Sequence, residues 1–137
     1  MEDLNIREME QNVNYSLRYV DNIIKALEKA QKLSVADIAG GKMIISKAKY
    51  DAIDEANKNE ETFEIWYRKL TQTPAYQTID LNLRVEIAQS VKVMDIFFDN
   101  IAIDLYVQTK IGDVLKEARA VMEKLYEVKS TIRRVGK

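Results

Sequence analysis

The stretch that decides the fold is residues 111–135, IGDVLKEARAVMEKLYEVKSTIRRV. Its apolar side chains recur at alternating steps of three and four residues, which is the spacing of a heptad seam on one face of a helix. The seam residues are Ile111, Val114, Ala118, Val121, Leu125, Val128, Ile132 and Val135. The helical pattern continues toward the N-terminus, so we predict one long helix over 94–135.

The first half of this predicted helix, Met94–Val107, is apolar on two sides. At about 100° per residue, one set of apolar residues forms an arc and a second set forms another arc on the far side. A helix that is apolar on two faces is expected to be buried between neighbours. The first arc holds Met94, Phe98, Ile101 and Leu105, and the second holds Ile96, Ile103 and Val107.

Two further helices are predicted, over 3–33 and 46–70. The first repeats apolar residues every seven positions, with Ser16 as its one weak seam position. Because its length and period match those of the seam at 111–135, we expect these two helices to pack along each other within one chain. The same residues would also suit a coiled coil between two chains, as in a homodimer.

The connector between the first two helices contains Gly40 and Gly41, which can take a positive φ without a steric cost. Two glycines ahead of a helix can also present bare N–H groups to an anion. The segment lacks the spacing, the Lys and the Ser/Thr of a phosphate-binding loop. We therefore favour a plain helix–helix turn.

Residues 78–87, TIDLNLRVEI, alternate polar and apolar side chains without error, which is the period of a β-strand. We predict a short extended segment here. A lone strand leaves its backbone groups unpaired, so three solutions are open. The segment pairs with 43–45, pairs with the same segment of a second subunit, or is helical after all.

Together these patterns predict a mainly all-α protein with a single domain over 1–137. The helices at 3–33, 46–70 and 94–135 would form an elongated bundle of long antiparallel helices. The helix at 46–70 would cover Met94–Val107, and a short β segment near 78–87 would lie at one end.

The composition excludes several classes of function. The chain has 137 residues, with 21 basic and 22 acidic side chains and a formal net charge of −1, so no basic face points to nucleic acid. It has no Cys and no His, which removes thiolate chemistry, the commonest general base and the commonest transition-metal ligand. We expect no cofactor and no membrane span. The acidic start, MEDLNIREMEQ, is unlike a signal peptide, and we expect a cytoplasmic protein.

Two blocks of the chain resemble an uncharacterised family of small helical proteins from Gram-positive bacteria. The first is Asp37-x-x-Gly40-Gly41 followed by Ser46-x-x-Lys49-x-x-x-x-Asp54-x-Ala56. The second is Asp95-x-Phe97-Phe98-Asp99-Asn100-Ile101-x-x-Asp104-x-x-Val107-Gln108-x-x-Ile111. The chain departs from the family pattern at Lys42, Tyr50, Asp51 and Leu105. The resemblance implies a helical fold in a cytosolic Gram-positive setting. It implies no activity.

Five residues could form a site: Lys49, Asp54, Asp95, Asp99 and Asp104. The last three lie within the most apolar part of the chain. A buried carboxylate is costly unless it is paired or hydrogen-bonded. We therefore expect its partner to be Lys49, Lys47, Arg84 or a helix N-terminus near the turn at Gly40 and Gly41. We favour acids that fix the helix register through polar contacts. The alternative is a carboxylate cluster for Mg²⁺ or Ca²⁺, or an acid–base pair.

No sequence motif points to a particular reaction, so we expect that the protein is not an enzyme and assign no catalytic residue. The favoured function is a helical interaction or scaffold module that acts through self-association as a dimer and through a partner protein. One alternative is a protein that binds a small ligand or a divalent metal through Asp54, Asp95, Asp99 and Asp104. The other is a secretion-system accessory or chaperone-like helical protein.

Overall fold

The computed structural model describes residues 2–39, 47–100 and 104–135, with side chains over 5–33, 47–100 and 110–134. The described chain is helical and forms a bundle. Its elements are α1 (Glu2–Ala39), α2 (Lys47–Gln72), a 3₁₀ helix (Pro74–Thr78), α3 (Leu81–Asp99) and α4 (Asp104–Val135).

Neighbouring helices run antiparallel, as three side-chain contacts show. Asn22 Nδ2 of α1 donates a hydrogen bond to Asn59 Oδ1 of α2 at 3.2 Å. The two residues are a similar number of residues away from the connection between the two helices. Lys124 pairs with Glu86 at 3.7 Å across α3 and α4, and Arg119 pairs with Glu28 at 3.6 Å across α1 and α4. These contacts describe an up-down-up-down four-helix bundle. In it α2 packs chiefly on α1, and α3 packs chiefly on α4.

The heptad seams of α1 and α4 face each other within one chain, as predicted. Every described seam residue of α4 is buried, and α1 presents a matching buried stripe. The seam from Ile111 to Ile132 is therefore used inside the chain and is not free for a coiled coil between chains. The buried residues are Met9, Val13, Leu17, Val20, Ile23, Ile24, Ala26, Leu27 and Ala30 of α1, and Ile111, Val114, Leu115, Ala118, Val121, Leu125, Val128 and Ile132 of α4.

Ser16, the weak position of the α1 seam, is fully buried, and its Oγ has no hydrogen-bond partner among the described residues. A buried hydroxyl without a partner costs stability. We expect Ser16→Ala to raise the free energy of unfolding by about 1 kcal/mol, measured as a higher urea midpoint at an unchanged slope. Ser130→Ala, on an exposed face of α4, is the matched control for helix propensity alone. A gain no larger than that of the control would contradict the expectation.

The short β segment predicted near 78–87 is wrong, because Leu81–Asp99 is helical. No described strand is present to pair with it, and the helix satisfies its backbone groups internally, beginning with Arg84 N–H donating to the Asp80 carbonyl at 3.1 Å. The alternating residues are thereby divided between two faces. Leu83 and Ile87 turn toward the core, whereas Leu81 and Val85 turn outward.

The prediction of one continuous helix over 94–135 is also wrong. α3 ends at Asp99, Asn100 forms a turn, and α4 begins at Asp104. The Asn100 side chain donates to the Ile96 carbonyl at 2.7 Å, which satisfies a carbonyl in the last turn of α3. The two halves fold back and pack on each other, so they bury more apolar surface than one straight rod would.

The end of α2 follows from Pro74. The preceding residue, Thr73, is extended with φ −70° and ψ 126°, as expected before a proline. Thr73 is buried and accepts a 3.3 Å hydrogen bond from Asn12 of α1, which ties this turn to the bundle. The predicted turn at Gly40 and Gly41 lies outside the described residues.

Candidate functional site

Three carboxylates meet where α2 faces α3. Glu60 and Glu64 lie one turn apart on α2, and Asp95 reaches toward them from α3. One oxygen from each group lies within 4.8 Å of the other two. We call Glu60, Glu64 and Asp95 the carboxylate triad.

The triad is built into the core pattern of its helices. Along α2, Glu60 occupies the seam position between Ala56 and Phe63, and all three residues are buried. On α3, Asp95 follows the buried Met94 and is itself partly buried. The packing of α2 and α3 thus places three acidic side chains next to the apolar residues that make up the rest of the core on these helices.

The environment of the triad favours protonated carboxyls. Burial is the largest cause that raises the pKa of Asp95, to about 6, with the neighbouring Glu60 and Asp99 adding to it. The pKa of Glu64 rises to about 7, first through its hydrogen bond with Asp95 and then through burial, while Arg68 opposes the rise. Burial also raises the pKa of Glu60.

When all three groups are ionised, the triad has no donor of its own. Asp95 Oδ1 is inaccessible to water and has no hydrogen-bond partner among the described groups. A proton shared between two carboxyls, or a bound cation, would supply the missing positive charge. The site can therefore hold protons or a cation.

Two tyrosines extend the polar region toward the 3₁₀ helix. Burial raises the pKa of Tyr67, and the charge of Asp95 adds to that rise. Burial likewise raises the pKa of Tyr76, whose neighbours include Tyr67 and Arg84. Both phenols therefore stay protonated at neutral pH.

The structure separates most of the residues that the sequence suggested for a site. Lys49 is buried on α2, whereas Asp54 and Asp99 are exposed. The side chain of Asp104 lies outside the described residues. Among the five candidates, Asp95 alone belongs to the triad, and Asp99 acts on it through charge.

One of the basic partners predicted for the buried acids, Arg84, is engaged elsewhere. Arg84 Nε donates to the Ile79 carbonyl at 2.9 Å, and its Nη1 donates to Gln77 at 3.3 Å. These bonds fix the start of α3 on the 3₁₀ helix. The groups that act on the pKa of Asp95 include Glu60, Glu64 and Asp99, which are acidic like Asp95 itself.

Sequence reasoning missed Glu60 and Glu64. A signal was present, because the apolar stripe of α2 passes from Ala56 to Phe63 and leaves the intervening seam position to Glu60. A charged residue at a seam position, with a second acid four residues later, marks a buried acidic pair. The stripe alone could not show that Asp95 of another helix would join them.

A second feature is an outward apolar face on α3. Leu81, Val85, Val93 and Ile96 are 60%, 44%, 42% and 46% exposed. At 100° per residue they fall within an arc of about 120°, opposite the buried residues Ile87 and Met94. We call these four residues the outward face of α3.

No family model matches the chain, and no curated protein or solved structure shows significant similarity to it. The resemblance to a Gram-positive helical family therefore stays a prediction. Within the described ranges, none of the helices combines the length and the apolar character needed to cross a membrane.

Proposed function

We propose that the protein is a non-enzymatic helical interaction module that associates with a second copy of itself through the outward face of α3. The observation that supports this is the exposure of Leu81, Val85, Val93 and Ile96 on one side of a helix whose other side is already buried. Large apolar side chains grouped on one surface are typical of contact sites between proteins.

The face suits self-pairing in an antiparallel arrangement. If the two helices cross between Ala88 and Gln89, Leu81 of one copy meets Ile96 of the other. Ala88 is small and exposed, so the two helices can approach closely at the crossing point.

The charge on this face is compatible with the same arrangement. Lys92 is exposed beside the four apolar residues. In the antiparallel register it faces Val85 of the other copy. The two Lys92 groups then lie about 10 Å apart along the axis, at 1.5 Å per residue, where water and salt weaken their repulsion.

Two-fold pairing of this kind is the commonest form of homo-oligomer. The proposal includes the cytoplasmic setting that the family resemblance implies. A partner protein would bind the dimer at a further surface.

Light scattering across a concentration series tests the proposal. The expected mass is twice that of the 15.9 kDa chain. Val85→Lys should weaken self-association by about tenfold or more, because it removes apolar contact and places a cation opposite Lys92 of the other copy. Ile65→Lys, which changes an exposed residue of α2, is the matched control and should leave the mass unchanged.

The proposal fails if the wild-type chain is a monomer at every concentration measured. It also fails if Val85→Lys and Ile65→Lys alter the mass equally. Far-ultraviolet circular dichroism of both variants verifies that each remains helical.

A further inference from the structure

The outer side of α1 carries a groove of about 480 Å³. This volume falls within the range of ligand-binding clefts in proteins. The side chains that line the groove project from one face of the helix, at spacings of three and four residues. They are Arg7, Glu10, Gln11, Asn14, Tyr15 and Arg18. We call this feature the α1 groove.

The α1 groove contains two cations without partners. Two Arg and one Glu line it, so its charge is positive although the whole chain has a formal net charge of −1. Within the described part of the chain, neither Arg7 nor Arg18 forms an ion pair or a side-chain hydrogen bond. The two guanidinium groups are therefore available to an anion, and their planar shape suits a carboxylate.

One wall of the α1 groove is an aromatic ring that is held in place. Tyr15 stacks on Trp66 of α2, with ring centroids 4.2 Å apart and planes 16° from parallel. Lys69 Nζ lies 4.5 Å from the centroid of the same Trp66 ring, which places a third cation beside this wall. Stacking stabilises the position of both rings. A ligand in the groove therefore meets an ordered surface.

The spacing of the charged groups indicates the shape of the ligand. Arg7 and Arg18 are 11 residues apart, which is about 16 Å along the helix axis at 1.5 Å per residue. An extended peptide covers this distance in about five residues. Gln11 and Asn14 lie between the two Arg residues, and each amide can donate and accept a hydrogen bond, as pairing with a peptide bond requires. Glu10 disfavours an acidic residue at the middle of the ligand.

We propose that the α1 groove binds an extended segment of a partner protein that carries two acidic residues about five positions apart, with uncharged residues between them. The groove would be the surface at which the interaction module meets its partner protein, so its role rests on the proposed function. α1 packs on α2 and α4, whereas the proposed self-association uses α3. The α1 groove therefore remains open when two copies associate.

Isothermal titration of the full chain with a synthetic peptide tests this proposal. The probe is Glu-Ala-Ser-Ser-Ala-Glu, acetylated and amidated so that its two side chains carry its only charges. We expect one site per chain, and we expect the charge-reversed peptide Lys-Ala-Ser-Ser-Ala-Lys to bind about tenfold more weakly or less. Raising NaCl from about 0.05 M to about 0.3 M should weaken the binding of the acidic peptide, because salt screens exposed charges.

Substitutions in α1 locate the binding. Arg7→Gln and Arg18→Gln should each weaken it about threefold to fivefold, because a single exposed ion pair contributes modestly, and the double variant should weaken it by about tenfold or more. Lys29→Gln is the matched control, since Lys29 is an exposed cation of α1 outside the groove. It should change the affinity by less than about twofold.

Absence of binding by the acidic peptide would overturn the proposal. Equal binding of the charge-reversed peptide, or equal losses from Lys29→Gln and Arg18→Gln, would also overturn it, because the attraction would then belong to the whole surface. Val85→Lys, which tests self-association, should leave the binding of the peptide unchanged. A monomeric chain that binds the peptide therefore contradicts the self-association alone, and a dimeric chain that does not bind the peptide contradicts only the role of the α1 groove.

Discussion

Replacement of Phe63 by alanine is expected to lower the free energy of unfolding by about 4 kcal/mol. Phe63 is fully buried in α2, where its ring stacks on Tyr67 with centroids 5.6 Å apart. Truncation to alanine loses the free energy gained by burying the ring, and it leaves a cavity. The closely packed helices cannot move together enough to fill this cavity. At about 3–4 °C per kcal/mol, the Tm should fall by about 12–16 °C.

The matched control is Ile65→Ala. Ile65 lies two residues further along α2 and is 54% exposed, so its truncation should change stability by less than about 0.5 kcal/mol. Urea unfolding of both variants measures the difference as a shift in midpoint at an unchanged slope. Equal losses from the two variants would mean that Phe63 is not a core residue.

Folding stability should decrease as the pH rises from about 5 to about 8. In the folded chain the pKa of Glu64 is about 7 and that of Asp95 is about 6, above their ordinary values of 4.5 and 3.8. The folded chain therefore binds protons more tightly than the unfolded chain. Deprotonation through this window costs stability, and the loss is complete once the pH exceeds the folded-state pKa of Glu64.

The size of this effect follows from proton linkage. One linked proton contributes about 1.4 kcal/mol per pH unit. Counted from pH 5, the linkage spans about two pH units for Glu64 and about one for Asp95, which amounts to about 4 kcal/mol without screening. Because water screens both partly exposed groups, we expect about half of that loss, about 2 kcal/mol. Urea midpoints measured across the pH range in the presence of a chelator, without added divalent cation, would show it.

In this chain the pH dependence of stability can be assigned to the carboxylate triad with little interference from other groups. It has no His and no Cys, so few other groups change charge within this window. Glu64→Gln should flatten the profile, whereas Glu55→Gln should leave it unchanged. A wild-type profile that is flat, or that rises with pH, would show that the triad carboxyls are ionised and compensated in the folded chain.

The helical class of the fold could be read from the sequence because it depends on local periodicity. The seam from Ile111 to Ile132 and the stripe from Met9 to Ala30 each repeat over many turns, and both are buried as predicted. The segment 78–87 misled the same reasoning. Its alternation fits a strand, but it also splits between two faces of a helix, and the structure shows that the segment is helical from Leu81 onward.

The candidate site was predictable only in part. The apolar surroundings of Asp95 in the sequence point to this residue, because an acid within an apolar stretch needs a partner. The same reasoning favours Asp54, which the structure leaves exposed, and it does not single out Glu60 and Glu64. Which acids meet depends on the rotation of α2 against α3, and no local pattern encodes that rotation.

The sequence by itself determined that this protein is helical and that its first and last helices each carry an apolar seam, because the spacing of apolar residues sets which face of each helix avoids water. It also determined that the segment around Met94 is apolar on two sides. Only the tertiary structure decided that the chain turns back after Asp99, and that Ile96 is left exposed while Asp95 joins Glu60 and Glu64. The physical reason is that each residue is buried by helices that are distant from it in sequence. Which helix covers a given face therefore depends on how the whole bundle packs.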